Sequence, residues 1–253
     1  MKITIAGYGY VGKAYYETLK RKHDIIVIDP KLNQKRITDY KTDCVIICVP
    51  TPESADGSCN VSHVMDTIAD IDGNIPILIK STISLDGWKK IKQAFPTHDI
   101  SFSPEFLRAA NYINDIKNLD TIYLSDENPN FWATDIFFKC YTDINFIVGR
   151  AEELILVKYF RNAFLATKVS FFNQVYDLCE VTGISFTEVS AGIVQDTRIG
   201  VSHSDVTVAR GWDGLCFPKD TSALLETANS YDVDLSLIKT AIAYNNQVRE
   251  NKS

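Results

Sequence analysis

One segment narrows the folds open to this chain more than any other. Residues 7–12 read Gly7-Tyr8-Gly9-Tyr10-Val11-Gly12, directly after an apolar, strand-like run at Ile3–Ala6 and at the opening of a helical stretch. G-x-G-x-x-G alone is weak evidence; between a strand and a helix it reads as the turn of a dinucleotide-binding unit. Gly7 permits a tight turn, Gly9 lets the backbone approach a pyrophosphate, and Gly12 lets helix and strand pack closely. The helix N-terminus then faces the phosphates, with Tyr10 and Val11 grouped beside them. Asp29 ends a second apolar run about 20 residues further on, where a carboxylate accepts from a ribose 2′-hydroxyl and repels a 2′-phosphate. The expected cofactor is NAD. The plain alternative is three glycines in an ordinary turn.

The rest of residues 1–150 agrees with that turn. Apolar, β-branched runs recur at Ile3–Ala6, Ile25–Ile28, Cys44–Val49, Ile77–Ile79, Ile100–Phe102, Ile122–Leu124 and Phe146–Val148. Nearly continuous runs of this kind suit parallel strands covered on both faces. Helix-length segments at Gly12–Lys22, Val61–Ile71, Leu85–Ala94 and Asn130–Cys140 separate some of them. The expected fold is an α/β, Rossmann-type doubly wound parallel sheet. Thr51 and Ser81 fall at strand C-termini, where such a sheet binds its ligand, and are assigned to the cofactor side.

Beyond Gly149 the texture changes. No Pro or Gly interrupts Glu152 to Thr182, which predicts one long helix; shorter helices follow at Thr187–Gln195, Lys219–Asn229 and Leu235–Asn246, with a loop at Asp196–Leu215. Residues 151–253 are therefore expected to form an all-helical domain, with the boundary near residue 150. The 253 residues carry a net charge of −6 and no dense Lys/Arg run, which argues against a nucleic-acid surface. No apolar run reaches the ~18 residues of a membrane helix, and the N-terminus enters a strand without signal-peptide features, so a cytoplasmic protein with no membrane partner is expected. Six cysteines without CxxC spacing read as reduced thiols, and no metal is expected.

Two groups stand out chemically. Pro218 fits the first turn of a helix, which puts Cys216 just before a helix N-terminus; that positive end and Lys219 both favour a thiolate. The plain alternative is a small buried hydrophobe. Lys158 and Asn162 share one face of the long helix. Leu154, Leu165, Val169 and Phe172 lie within about 40° of Lys158 on that helix, so the lysine sits in an apolar stripe and needs a partner or a job. Otherwise it snorkels.

These segments follow one another along the chain: GYGYVG (7–12), CVPTP (48–52), KST (80–82), SPEFLR (103–108), KYFRNAF (158–164), DTRIG (196–200) and CFPKD (216–220). Their kinds and order resemble the UDP-glucose/GDP-mannose dehydrogenase family, over nearly the whole chain. The resemblance implies oxidation of the C6 alcohol of a nucleotide sugar to a carboxylate, with two NAD reduced and the aldehyde trapped on a cysteine as a thiohemiacetal, then a thioester. It makes Cys216 the nucleophile and Lys158 and Asn162 the oxyanion stabilisers. Asp220 becomes a helper of hydrolysis; Glu105 an acid/base working with a water, with Thr82 nearby. For Asp220 the plain reading is a helix-terminal carboxylate, for Glu105 a loop carboxylate paired with Arg108, and for Thr82 a strand-end cap. Lys219 is grouped with the cofactor. Arg198, Phe106, Leu107 and Gly211 are grouped with the substrate, Arg198 otherwise being a surface cation.

The chain also departs from the pattern. Its loop before the nucleophile, Val208–Leu215, keeps only Gly211 and Gly214 of the family's glycine-rich loop, and Asp213 stands where a left-handed turn or a sugar contact would favour glycine. Ala109 replaces a second carboxylate, STISLDG (81–87) lacks a proline, and the chain stops at Ser253, before the second Rossmann-like domain that the resemblance implies. Two other readings stay open: a two-electron Rossmann dehydrogenase of the hydroxyacid or phosphogluconate kind, and a non-catalytic NAD-binding, dimerising module. Phe160, Phe164 and Phe171 lie roughly opposite Lys158, which predicts that the helix is covered by a second copy in a homodimer.

Overall fold

The computed structural model describes residues 1–33, 35–71, 75–125 and 132–250. It divides into two compact units, Met1–Lys158 and Tyr159–Ser253. The division falls inside a helix, past the boundary near residue 150 expected from the change of texture.

The first unit alternates strand and helix. Its elements are β1 (Lys2–Ala6), α1 (Tyr10–Leu19), β2 (Asp24–Ile28), β3 (Cys44–Ile47), α2 (Ser62–Ala69), β4 (Ile77–Ile79), α3 (Leu85–Ala94), β5 (Ile100–Phe102), α4 (Tyr112–Lys117), β6 (Thr121–Ser125), α5 (Trp132–Phe138) and β7 (Asn145–Gly149). The expected start of the α5 helix at Asn130 lies outside the described residues.

Five strands make one parallel sheet in the order β2-β1-β3-β4-β5. The order reverses between β1 and β3, and the crevice beyond their carboxyl ends is where doubly wound sheets hold ligands. All seven expected runs are strands, but β6 and β7 form their own parallel pair. At the join, the Phe102 amide donates to the Ser125 hydroxyl at 2.8 Å, so a side chain takes the bond a ladder would use. β7 also departs from the expectation of strands covered on both faces, because Ile147 and Val148 are exposed.

Burial explains the rest. Ile3 and Ile5 of β1, Cys44 and Ile46 of β3 and Leu78 of β4 pack with Ala14, Tyr15 and Leu19 from the inward face of α1. Burying each large aliphatic side chain contributes about 1.5–3 kcal/mol.

The long helix α6 (Ala151–Thr182) begins in the first unit and continues into the second. There it is joined by α7 (Phe186–Val194), α8 (Phe217–Ser230) and α9 (Ser236–Glu250). Ala166 and Val169 of α6 pack with Trp212 and Phe217, and Ile242 of α9 lies against them. The Trp212 indole N–H donates to the Ser170 hydroxyl at 3.0 Å, and that hydroxyl donates to the Ala241 carbonyl at 3.2 Å. Among the described residues no helix is long and apolar enough to cross a membrane.

Candidate active site

The glycine turn is held by contacts that exclude side chains. Gly7 has φ +93°, and a Cβ there would lie 2.6 Å from the Cys48 carbonyl oxygen. A Cβ on Gly12 would lie 2.0 Å from the Gly7 carbonyl oxygen, so α1 packs against β1 only because residue 12 has none. Gly9 instead borders open space, which leaves its backbone accessible before Tyr10 and Val11 open α1. This cradle fits a dinucleotide pyrophosphate. Asp29 stands beside it. One carboxylate oxygen accepts from the Tyr8 amide at 2.6 Å and the other from the Lys31 amide at 2.8 Å.

Thr51 and Ser81 are buried near the ends of β3 and β4. The Ser81 hydroxyl donates to the Val49 carbonyl at 2.7 Å and so braces the segment after β3. Thr82 is half-buried, and its carbonyl accepts a hydrogen bond from the Cys59 thiol at 3.3 Å.

Glu105 is the hub of the first unit. One carboxylate oxygen accepts from the amides of Phe106 (2.8 Å) and Leu107 (3.2 Å). The other accepts from the Tyr15 hydroxyl at 2.5 Å and lies 3.3 Å from Lys80 Nζ. Its backbone carbonyl accepts from Lys158 Nζ at 2.5 Å. Lys80 also donates to the Ser103 hydroxyl at 2.9 Å and stands over the Tyr15 ring. Burial, with the Glu105 charge beside it, holds the Tyr15 phenol well above its ordinary range. Burial pulls the Lys80 ammonium down, and Glu105 opposes that.

Arg108 pairs with Asp115 at 2.5 Å, so the plain reading of Glu105 as its partner is corrected: the carboxylate turns inward to Lys80 and Tyr15. Leu107 packs in the core cluster of the first unit. Phe106 is half-buried between the Tyr123 ring at 5.2 Å and Lys158 Nζ at 5.6 Å. Tyr15 and Lys80 went unassigned in the sequence reading. Lys80 had a signal, being a lysine that directly follows a fully apolar strand.

In the second unit, Cys216 is the N-cap residue of α8, half-buried, with Pro218 in the first turn. Asp220 is 1% exposed and lies in that same turn. Its two oxygens accept from Asn162 Nδ2 at 2.6 Å and from Lys219 Nζ at 2.8 Å. Lys219, grouped with the cofactor from sequence, is thus turned to Asp220. At the first turn of the helix that Cys216 begins, an amide, a carboxylate and an ammonium are thus linked in one chain of hydrogen bonds.

The loop before Cys216 is pinned from several sides. Arg210, at φ +57°, donates to Asn173 Oδ1 at 2.8 Å and to Asp177 at 2.5 Å, and stacks over Tyr176. Gly211 has φ +56°, and a Cβ there would meet Asn245 Oδ1 at 2.4 Å. Asp213 does not occupy a left-handed turn. The left-handed non-glycine residues among those described are His203, Arg210 and Asp232, and the Asp213 carboxylate accepts from Arg249 at 2.6 Å. Arg198 is exposed and folded onto Asp196, two residues before it.

A dinucleotide-type Rossmann domain followed by a helical domain, with a cysteine at a helix N-cap and a buried Asp bonded to an Asn and a Lys in that helix's first turn, is the plan of a dehydrogenase. The chain belongs to the UDP-glucose/GDP-mannose dehydrogenase family: residues 31–144 match its NAD binding domain and residues 152–247 its central domain. The NAD expected from the glycine turn and Asp29 agrees with that domain. A UDP-glucose 6-dehydrogenase of Rhizobium meliloti (strain 1021) is 31% identical over 299 residues, covering 97% of this chain and 67% of the relative. One from Bacillus subtilis (strain 168) is 32% identical over 248 residues, covering 91% and 54%. The chain thus spans about half to two-thirds of the length of these relatives. Among solved structures, a UDP-glucose dehydrogenase from Pyrobaculum islandicum superposes with a TM-score of 0.83 at 23% identity, covering 97% of this chain and 68% of that one. A Mycobacterium tuberculosis 3-hydroxyisobutyrate dehydrogenase gives 0.73 at 15% identity, covering 95% and 90%. Both show a shared fold.

Proposed function

We propose that the chain carries out the NAD-dependent four-electron oxidation of a nucleotide sugar, from the C6 alcohol to the carboxylate, with UDP-glucose as the reference substrate. The Gly7–Gly12 turn and Asp29 would hold NAD, which would supply the hydride acceptor for both oxidations, two molecules per sugar.

The chain's own groups would do the rest. The Cys216 thiolate adds to the aldehyde carbon; a C–S bond forms and the carbonyl electron pair moves onto oxygen. Lys158 and Asn162 offer an ammonium and an amide to that oxyanion, a kind of stabilisation whose single donors are worth about 10²–10³ in rate. After the second oxidation the carbon is a thioester. Water adds, the C–S bond breaks with its electron pair returning to sulfur, and the carboxylate is released. Asp220 orients the proton traffic of that hydrolysis, and Glu105 and Thr82 attend the water of the earlier steps.

The observation that carries this reading is the group around Cys216. A helix-capping cysteine next to Asp220, itself bonded to Asn162 and Lys219, is more than a buried small residue requires. The test is alkylation. Iodoacetamide titrated to one equivalent, with the modified peptide located by mass, should abolish NADH formation when Cys216 carries the label and leave NAD binding unchanged. A protein that keeps its turnover when labelled there belongs instead to a two-electron class that needs no thiol.

A homodimer completes the proposal. Phe160, Phe164 and Phe171 on α6 are all exposed, Phe164 at 68%, and a run of phenylalanines on one helix is the kind of apolar surface that a second copy covers.

A further inference from the structure

Two residues of the first unit have no part in the chemistry above, yet both are buried and both end on Glu105. Tyr15 lies on the inward face of α1 and reaches Glu105 across 90 positions of sequence. Lys80 follows β4, with only 2% of its side chain exposed. With an apolar residue also at 105, a Phe at 15 and a Met at 80 would fill the same space without any polar atom to satisfy. A buried ion pair is no more stabilising than such a replacement, so its presence asks for a reason other than stability.

The bonds point to one. Tyr15 and Lys80 hold one oxygen of the Glu105 carboxylate, and the other accepts from the amides of Phe106 and Leu107. The turn so fixed presents the Glu105 carbonyl to Lys158 Nζ, with the Phe106 ring beneath the ammonium.

We propose that Tyr15 and Lys80 are positioning residues: through the Glu105 turn they set where the Lys158 ammonium stands. The inference rests on Lys158 being the oxyanion-binding lysine, and it adds the two residues that aim it. Glu105 then has a second duty besides its carboxylate chemistry, because its main-chain carbonyl accepts from Lys158.

Trace acetylation of the full chain tests this without requiring turnover. Acetic anhydride is applied at low dose, and labelling of Lys158 is read by mass against exposed Lys20 in wild type, Tyr15→Phe and Lys80→Met. Lys168, bonded to the carbonyls of Ile199 and Gly200, reports any general loosening. Loss of one hydrogen bond from the chain should raise Lys158 labelling roughly two- to tenfold in Tyr15→Phe, with Lys168 unchanged. In an active preparation the same variant should lower kcat and leave KM alone. Lys158 labelling equal to wild type overturns the proposal, as does a parallel rise at Lys168. Labelling that responds in a protein with no turnover defeats the functional reading and keeps the positioning. Unchanged labelling in an active Tyr15→Phe variant does the reverse.

Discussion

The side-chain amide of Asn162 donates to Asp220 at 2.6 Å, joining α6 to the first turn of α8. Asp220 is almost wholly buried, so each donor it loses leaves a carboxylate short of solvation. Asn162→Ala should therefore destabilise the fold by about 1–3 kcal/mol, measured by urea denaturation. If Asn162 also stabilises an oxyanion, kcat should fall about 10²–10³-fold in the same variant. Asn162→Asp, which sets two carboxylates together, should be the worse of the two in both respects.

Stability should decline above about pH 8.5. Burial pushes the Cys44 and Cys48 thiols up to about 12, against an ordinary value of about 8.5, and holds Tyr15 above its ordinary phenol range. The folded state keeps these protons where the unfolded chain has lost them. The stabilisation is complete below the unfolded values and is lost as pH rises toward the folded ones. Lys80 acts in the opposite sense, since the folded state releases its proton earlier, but it is one group against three. Denaturation midpoints at pH 8, 9 and 10 should fall steadily, and Cys44→Ala should flatten the slope by up to about 1.4 kcal/mol per pH unit.

Gly12→Ala should remove NAD binding. The new Cβ would stand 2.0 Å from the Gly7 carbonyl, so α1 must move away from the turn that receives the pyrophosphate. Isothermal titration with NAD should show no saturable heat in this variant, whereas Gly192→Ala, with nothing near its Cβ position, should bind as wild type does.

The exposed phenylalanines of α6 give a prediction about assembly. Light scattering at micromolar concentration should report twice the 28.4 kDa chain mass, and Phe164→Arg should shift it toward one chain. A monomeric wild type would contradict the homodimer.

Local pattern was enough where one residue's neighbours in sequence decide its structure. The glycine turn, the seven apolar runs and the uninterrupted α6 are of this kind, and so is the placement of Cys216 ahead of Pro218. Contacts between distant segments were not legible. Tyr15 looks like any inward aromatic of an amphipathic helix, and nothing near it in sequence names Glu105. Arg108 was an obvious partner for Glu105 by proximity, but Asp115 on α4 takes it. That six-residue helix was itself missed, being too short to show a period. At the break between β5 and β6 a serine hydroxyl accepts from the Phe102 amide. The partner of Asp213 is Arg249, which lies a whole helix away.

The most direct test of the four-electron route is a count of NADH formed per nucleotide sugar consumed, with NAD and UDP-glucose, in wild type and Cys216→Ser. Two NADH per sugar in wild type, with the second oxidation lost in the variant, is the expected result. One NADH per sugar, or two in both proteins, would contradict a thioester on Cys216.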